Sequence, residues 1–310
     1  MYRIPEKIKK GDTIGVISPA SRPLNEEKLF NGMKYLKQQG FHVVPGKHVL
    51  NQYGYLAGTD AERAEDVNQM FADPQIDAVF CTRGGYGCSR ILNRLDYEMI
   101  RQNPKALVGY SDITALQHAL LSHSNLITFS GPMVAVEMSE GIDEDTEEHF
   151  WAILMGTELG LSGKMEKSFS VFKHGIAEGP IIAGCLSVLV TMLGTPYSAD
   201  FTNAILFIED IAEEPYKIDR NLSHLKAAGI FNQVQGLVFS QFISCENQNS
   251  NKKSLTIQEI INDLFHDLDI PIILNYSYGH GSKKYTIPFG ANSRLNTYQN
   301  KLEILRQDVL

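Results

Sequence analysis

Short β-rich runs alternate with amphipathic segments through the first half of the chain. Thr13-Ile14-Gly15-Val16-Ile17-Ser18 reads as a buried strand, and in Glu26 to Gln38 the apolar residues Leu29, Met33 and Leu36 recur at helical spacing. Strand-like runs follow at 41–44 and 76–81, with a helix predicted over 61–71 between them. The run 89–95 reads as helical, 106–110 as another strand, and Asp112 to Ser122 as the helix after it. Repeated βα units require right-handed crossovers, which bury a mainly parallel sheet on both faces.

After Phe129 the pattern changes to an acidic helical stretch from Glu137 to Met155, then to weak periodicity over 156–170. A boundary is expected there, giving an N-terminal α/β domain over 1–160 and a second domain over 161–310. The second half mixes strands at 204–208 and 235–239 with helices near 186–193, 218–228 and 256–268. Residues 245–254, rich in Asn, Gln, Ser and Lys, read as an exposed loop. The expected fold is α/β: an N-terminal doubly wound, mainly parallel sheet with a second, mixed α/β domain.

Composition narrows the classes without changing that picture. A chain of 310 residues with 43% hydrophobic content can fill two cores. A formal charge of -8 supplies no basic footprint for phosphate backbones, so nucleic acid is not an expected partner. No apolar run reaches the roughly 18 residues a membrane span needs, and the N-terminus Met1-Tyr2-Arg3-Ile4-Pro5 lacks the pattern of an export signal, so a cytoplasmic protein is expected. Cys81, Cys88, Cys185 and Cys245 show no CxxC spacing and read as free thiols; Cys88 has no adjoining basic partner and reads as a packing residue.

Candidate chemistry gathers at strand ends. The strand 106–110 runs directly into Ser111 and then a helix, a turn that lifts a hydroxyl clear of a parallel sheet beside helix N–H groups. The segment Gly109-Tyr110-Ser111-Asp112-Ile113 lacks the second glycine of GxSxG and equally fits a helix cap by Ser111 or Asp112. Thr82-Arg83-Gly84-Gly85-Tyr86-Gly87 follows another strand and suits a tight turn, an oxyanion hole or a phosphate cradle, although neither GxGxxG nor GxxxxGK[ST] is present. Glu209-Asp210 ends the apolar run 205–208, where one carboxylate can orient a base or both can be solvated. His280 lies between glycines in Tyr278-Gly279-His280-Gly281-Ser282. His118 and His123 are five apart rather than the four of a zinc helix, so no metal is assigned, and no cofactor motif appears.

Taken in order, these segments resemble the LD-carboxypeptidase family of serine peptidases, which includes the microcin-immunity type. The resemblance runs from Lys10-Gly11-Asp12-Thr13-Ile14-Gly15-Val16-Ile17-Ser18-Pro19-Ala20-Ser21 through the 82–87 turn, Val108-Gly109-Tyr110-Ser111-Asp112-Ile113-Thr114 and Leu206-Phe207-Ile208-Glu209-Asp210 to Gly279-His280-Gly281. It implies a triad of Ser111, Glu209 and His280, with Glu209 rather than Asp210 as the acid, and oxyanion donors at the backbone N–H groups of Gly85 and Asp112. Arg83, ahead of the glycine turn, is a candidate for a substrate carboxylate and equally for a structural ion pair. The implied activity is release of the terminal D-alanine from a murein tetrapeptide during peptidoglycan recycling, by a cytoplasmic homodimer. Two alternatives stand beside it: hydrolysis of peptidyl or aminoacyl adenylates, and a non-catalytic small-molecule binding module. Gly184-Cys185-Leu186-Ser187 departs from the Gly-Gly-Asn-Leu segment more usual in these enzymes, and the only tryptophan, Trp151, stands outside the loop where the microcin-type branch tends to carry one.

Overall fold

A computed structural model describes residues 2–156, 169–247 and 253–305. The first half supplies strands β1 (Thr13–Ile17), β2 (His42–Pro45), β3 (Ala78–Cys81), β4 (Ala106–Val108) and β5 (Thr128–Ser130). The second supplies β6 (Ser170–Lys173), β7 (Ile176–Cys185), β8 (Ile205–Ile211), β9 (Gly236–Ile243), β10 (Ile272–Leu274), β11 (Ile287–Phe289), β12 (Asn292–Asn296) and β13 (Lys301–Ile304). The helices are α1 (Glu26–Gln38), α2 (Asp60–Ala72), α3 (Tyr97–Gln102), α4 (Ile113–Ser124), α5 (Glu137–Glu140), α6 (Glu144–Leu154), α7 (Leu186–Met192), α8 (Pro215–Ala227) and α9 (Ile257–Phe265).

Strands β2-β1-β3-β4-β5 pair in parallel, and β11 adds antiparallel to β5, so the second half of the chain returns to complete the first sheet. The other sheet runs β13-β12-β7-β8-β9-β10-β6, with β7 to β10 parallel and the outer strands antiparallel. This is the expected α/β class, one mainly parallel sheet and one mixed. In such sheets ligands collect outside the carboxyl ends of the strands. The residues after β1 and β3 meet there: the hydroxyls of Ser18 and Thr82 are 2.8 Å apart.

Several elements depart from the pattern-based expectation. The acidic stretch 137–155 is two helices, because Gly141 adopts φ +106° and Asp143 starts α6 by accepting a hydrogen bond from the Thr146 N–H. The segment expected as a helix at 89–95 is a pair of 3₁₀ turns, Cys88–Arg90 and Leu92–Arg94. The ten-residue strand β7 hides behind Gly179, Pro180 and Gly184, which read as breakers. The boundary region expected over 156–170 falls mostly on 157–168, outside the described residues. No described helix is long and apolar enough to cross a membrane.

Helix α4 couples the two sheets. Nearly every side chain from Ile113 to Leu121 is buried, so the helix is enclosed on all sides rather than amphipathic. Thr114 Oγ1 accepts from Cys185 N at 3.3 Å, and Gly184 approaches so closely that a Cβ there would overlap Thr114. His118 Nδ1 accepts from Ala199 N at 3.2 Å. One apolar cluster continues from Ile8 and Ile14 through Phe80 and Phe150 to Phe207, Phe239 and Leu302. Whatever Ser111 does at the start of α4, it does at a fixed position relative to β7 and β8.

Two buried histidines make this core sensitive to acid. Burial depresses His118 to about 3 and His149 to about 4, and each returns to the ordinary 6.5 when the chain unfolds. The unfolded chain therefore binds more protons between those values, so this part of the stability is complete above about pH 6.5 and is lost as pH falls toward 4. His149 Nδ1 accepts from Thr286 N at 3.2 Å, a contact that a glutamine side-chain oxygen can replace. His149→Gln is expected to remove up to about 1.4 kcal/mol per pH unit from the wild-type stability slope between pH 6 and 4.5, read from urea unfolding. Equal slopes in the two proteins would contradict this assignment.

Candidate active site

Ser111 stands at the end of β4 with φ +65°, a left-handed conformation that a non-glycine residue adopts only when its surroundings enforce it. Those surroundings are glycines: a Cβ on Gly84 would lie 2.8 Å from Ser111 Cβ and 2.9 Å from Ser111 Oγ, and one on Gly109 would lie 3.0 Å from Ile113 Cγ1. The cap reading of this segment does not describe the outcome. Asp112 precedes α4 without a side-chain cap hydrogen bond and instead accepts from Cys88 N at 2.8 Å, with its pKa raised by burial. Cys88 is itself buried and its thiol is pushed well up, first by burial and then by Asp112, the opposite of the environment that activates a cysteine.

The glycine turn is held from two directions. Gly85, at φ +108°, leaves no space for a Cβ beside Ser21, whose Oγ accepts from Tyr86 N at 3.3 Å while Ser21 N donates to Gly84 O at 3.3 Å. The buried Arg63 guanidinium donates to Pro19 O and, at 2.8 Å, to Gly87 O, and it pairs with Asp60. Among the described residues the N–H groups of Gly85 and Asp112 donate to no acceptor. An anion beside Ser111 would meet both of those donors without displacing an existing bond.

Across the cleft, Glu209 and Asp210 follow one another in β8, where its register with β9 is irregular, and the two carboxylates take separate partners. Glu209 is 1% exposed, and its Oε2 lies 2.7 Å from His280 Nδ1. Burial raises the Glu209 pKa, against the pull of the His280 hydrogen bond and charge. Gly279 makes the contact possible: at φ +100° it passes so close to Glu209 that any Cβ would overlap the carboxylate. Asp210 is used differently, accepting from Ser187 N at 2.9 Å, Cys185 Sγ at 3.2 Å and Ile211 N at 2.9 Å, so it holds the start of α7. Cys185, the departure noted in the sequence, is buried with its thiol pushed well up by burial and by Glu209 and Asp210.

Ser111 and His280 line one open cleft, together with Arg83, Gly84, Gly85 and Tyr110. No hydrogen bond joins Ser111 Oγ to the imidazole in this structure, a contact that frequently tightens only with substrate. Arg83 makes no hydrogen bond or ion pair among the described residues, so of the two roles open to it the structural ion pair is not formed. It also borders a second, wider groove lined by Arg22, Gln52 and Tyr55. The sequence reading brought together Ser111, Glu209, His280, Arg83 and the two backbone donors, and it missed Ser21, Arg63 and Thr114. Those three act through contacts to segments distant in the chain, so even Ser21 and Thr114, which lie within the motifs read from the sequence, carry no local sign of their roles.

The LD-carboxypeptidase N-terminal domain family matches residues 14–131, and the LD-carboxypeptidase C-terminal domain family matches 178–295. A probable murein peptide carboxypeptidase of Bacillus subtilis is 38% identical over 94% of this chain and 91% of its own length. The structure of the microcin C7 self-immunity protein MccF in complex with glutamyl sulfamoyl guanosine superposes with a TM-score of 0.90 at 26% identity, covering 99% of each chain. The muramoyltetrapeptide carboxypeptidase of Oxalobacter formigenes superposes with a TM-score of 0.80 at 27% identity, covering 94% of this chain and 97% of its own.

The division of labour between the paired acids is testable by stability alone. Asp210→Ala strands the Ser187 N–H and is expected to cost about 1–3 kcal/mol of unfolding free energy, measured by chemical denaturation. An unchanged midpoint would show that Asp210 does not anchor α7.

Proposed function

The chain belongs to the LD-carboxypeptidase family of serine peptidases, and we propose that it hydrolyses the L-D amide bond of a murein tetrapeptide and releases the terminal D-alanine. The observation that carries this reading is the buried Glu209–His280 contact of 2.7 Å facing the same cleft as the strained Ser111 turn. Glu209 accepts the Nδ1 proton of His280, which leaves Nε2 as the basic nitrogen. His280 takes the Ser111 proton as Oγ attacks the scissile carbonyl, and the negative charge on the tetrahedral oxygen is met by the Gly85 and Asp112 N–H groups. The protonated imidazole then delivers its proton to the departing D-alanine nitrogen. Water, activated by the same nitrogen, releases the peptide from Ser111. Arg83, unpaired at the edge of the cleft, is the side chain suited to the free carboxylate of the terminal residue. A cytoplasmic homodimer working in peptidoglycan recycling is the setting that the family resemblance attaches to this reading.

One observation favours a second substrate class. The superposition on MccF, solved there with glutamyl sulfamoyl guanosine, is tighter than that on the muramoyltetrapeptide carboxypeptidase. An aminoacyl or peptidyl nucleotide is therefore the alternative, served by the same serine chemistry. The murein reading is preferred on the 38% identity with the Bacillus subtilis relative.

Incubation with a murein tetrapeptide, followed by measurement of free D-alanine, separates these readings. The wild-type protein is expected to release D-alanine, and Ser111→Ala and His280→Ala are each expected to lower kcat by about 10⁴-fold or more. Hydrolysis of an aminoacyl sulfamoyl nucleotide analogue without D-alanine release would replace the murein reading with the nucleotide one.

A further inference from the structure

The hydroxyl of Tyr110, the residue before Ser111, is buried in an ionic cluster that the proposed chemistry does not use. Tyr110 Oη donates to Glu137 Oε1 at 2.7 Å and accepts from Lys284 Nζ at 3.1 Å, and Lys284 pairs directly with Glu137. The second carboxylate oxygen of Glu137 accepts from Met133 N at 2.9 Å. Lys284 lies four residues beyond His280 on the same loop and is 3% exposed. Its backbone N–H donates to Thr146 Oγ1 at 3.1 Å, so the loop is tied to α6 as well.

The cluster reaches the imidazole through the tyrosine ring. Lys284 Nζ sits 4.3 Å from the Tyr110 ring centroid, and that ring meets the His280 ring edge-on, with centroids 5.0 Å apart and planes at 70°. Glu209 meets the His280 ring at Nδ1 alone, beside a hydrogen bond from the His280 backbone, and one hydrogen bond at one ring nitrogen leaves the imidazole free to rock about that contact. Tyr110 is the wall that limits the rocking. Burying a lysine and a glutamate costs desolvation that an apolar pair of the same shape would avoid, so the pair is weak evidence for net stability, and in some proteins such pairs are kept for the geometry they fix.

We propose that Lys284 and Glu137 are positioning residues, which fix the Tyr110 hydroxyl so that its ring sets the His280 imidazole toward Ser111. The buried pair thereby joins the other contacts that dock the histidine loop from the second half of the chain onto the Ser111 turn from the first. This inference rests on His280 being the base. Loss of the pair leaves the substrate contacts in place and loosens only the reacting geometry, where a displacement of about 1 Å can cost on the order of a hundredfold in rate.

The test uses the full chain and a murein tetrapeptide. Tyr110→Phe keeps the ring and removes its anchor, and it is expected to lower kcat by about tenfold or more with KM changed less than about twofold. Lys284→Met is expected to do the same, and the Tyr110→Phe/Lys284→Met double variant to be no slower than the slower single variant, because both remove one device. Lys284→Arg, which retains a charged donor, is expected to recover part of the lost kcat. A folded Tyr110→Phe with wild-type kcat, or single-variant losses that multiply in the double variant, would overturn the inference. Should Lys284→Met fail to fold, Tyr110→Phe decides alone. Full activity in His280→Ala would instead overturn the underlying reading of the base, whereas an inactive His280→Ala beside a fully active Tyr110→Phe overturns only this proposal.

Discussion

The buried carboxylate of Glu209, held 2.7 Å from His280 Nδ1, sets the terms for much of the surrounding structure. A carboxylate almost wholly removed from water is costly unless its oxygens are bonded, and here the partner arrives on a separate segment, after β10. Bringing that segment in requires a residue without a side chain at 279, because the backbone passes directly against the carboxylate. It also requires the loop to be held down beyond the histidine, which the Lys284–Glu137 pair does from α5.

The Ser111 side solves a different problem with similar means. Ser111 adopts an unfavourable left-handed backbone, and conformations of that kind cost on the order of 1–3 kcal/mol unless the surroundings over-determine them. Gly84 and Gly109 give the turn room, and α4, buried from Ile113 to Leu121, fixes its far end against β7 through Thr114 and Gly184. The glycine turn at 84–87 is in turn braced by Ser21 and Arg63, so three strand ends of the first sheet converge on one cleft. Stability and site geometry are therefore coupled: the contacts that hold the halves together are the ones that bring Ser111 and His280 to the same space.

Much of this arrangement was legible in the chain. The βα alternation announced the parallel sheet, and the three residues stood out because Ser111 follows a strand, Glu209 ends an apolar run and His280 sits between glycines. Their association could be read only from the ordered motifs as a set, since each segment alone fits a cap, a solvated acid or a surface histidine. The choice between Glu209 and Asp210 has a structural basis that spacing cannot supply, because two adjacent carboxylates look alike in sequence until their partners, His280 for one and the start of α7 for the other, are known. The strand β7 was hidden by Gly179, Pro180 and Gly184, and β11 by its pairing with β5, a partner more than 150 residues away in the chain. Lys284 carried no signal at all: it follows Lys283, whose ammonium pairs with Asp145 and is far more exposed, and only the tertiary fold separates the two.

The central claim is that Ser111 is a nucleophile activated by His280 across this cleft. Labelling with a serine-directed phosphonate, mapped by mass spectrometry, tests it most directly. Modification confined to Ser111 in the wild-type protein, and lost in a folded His280→Ala variant, is the predicted result. Undiminished labelling of Ser111 in that variant, or labelling at another serine while Ser111 stays unmodified, would contradict it.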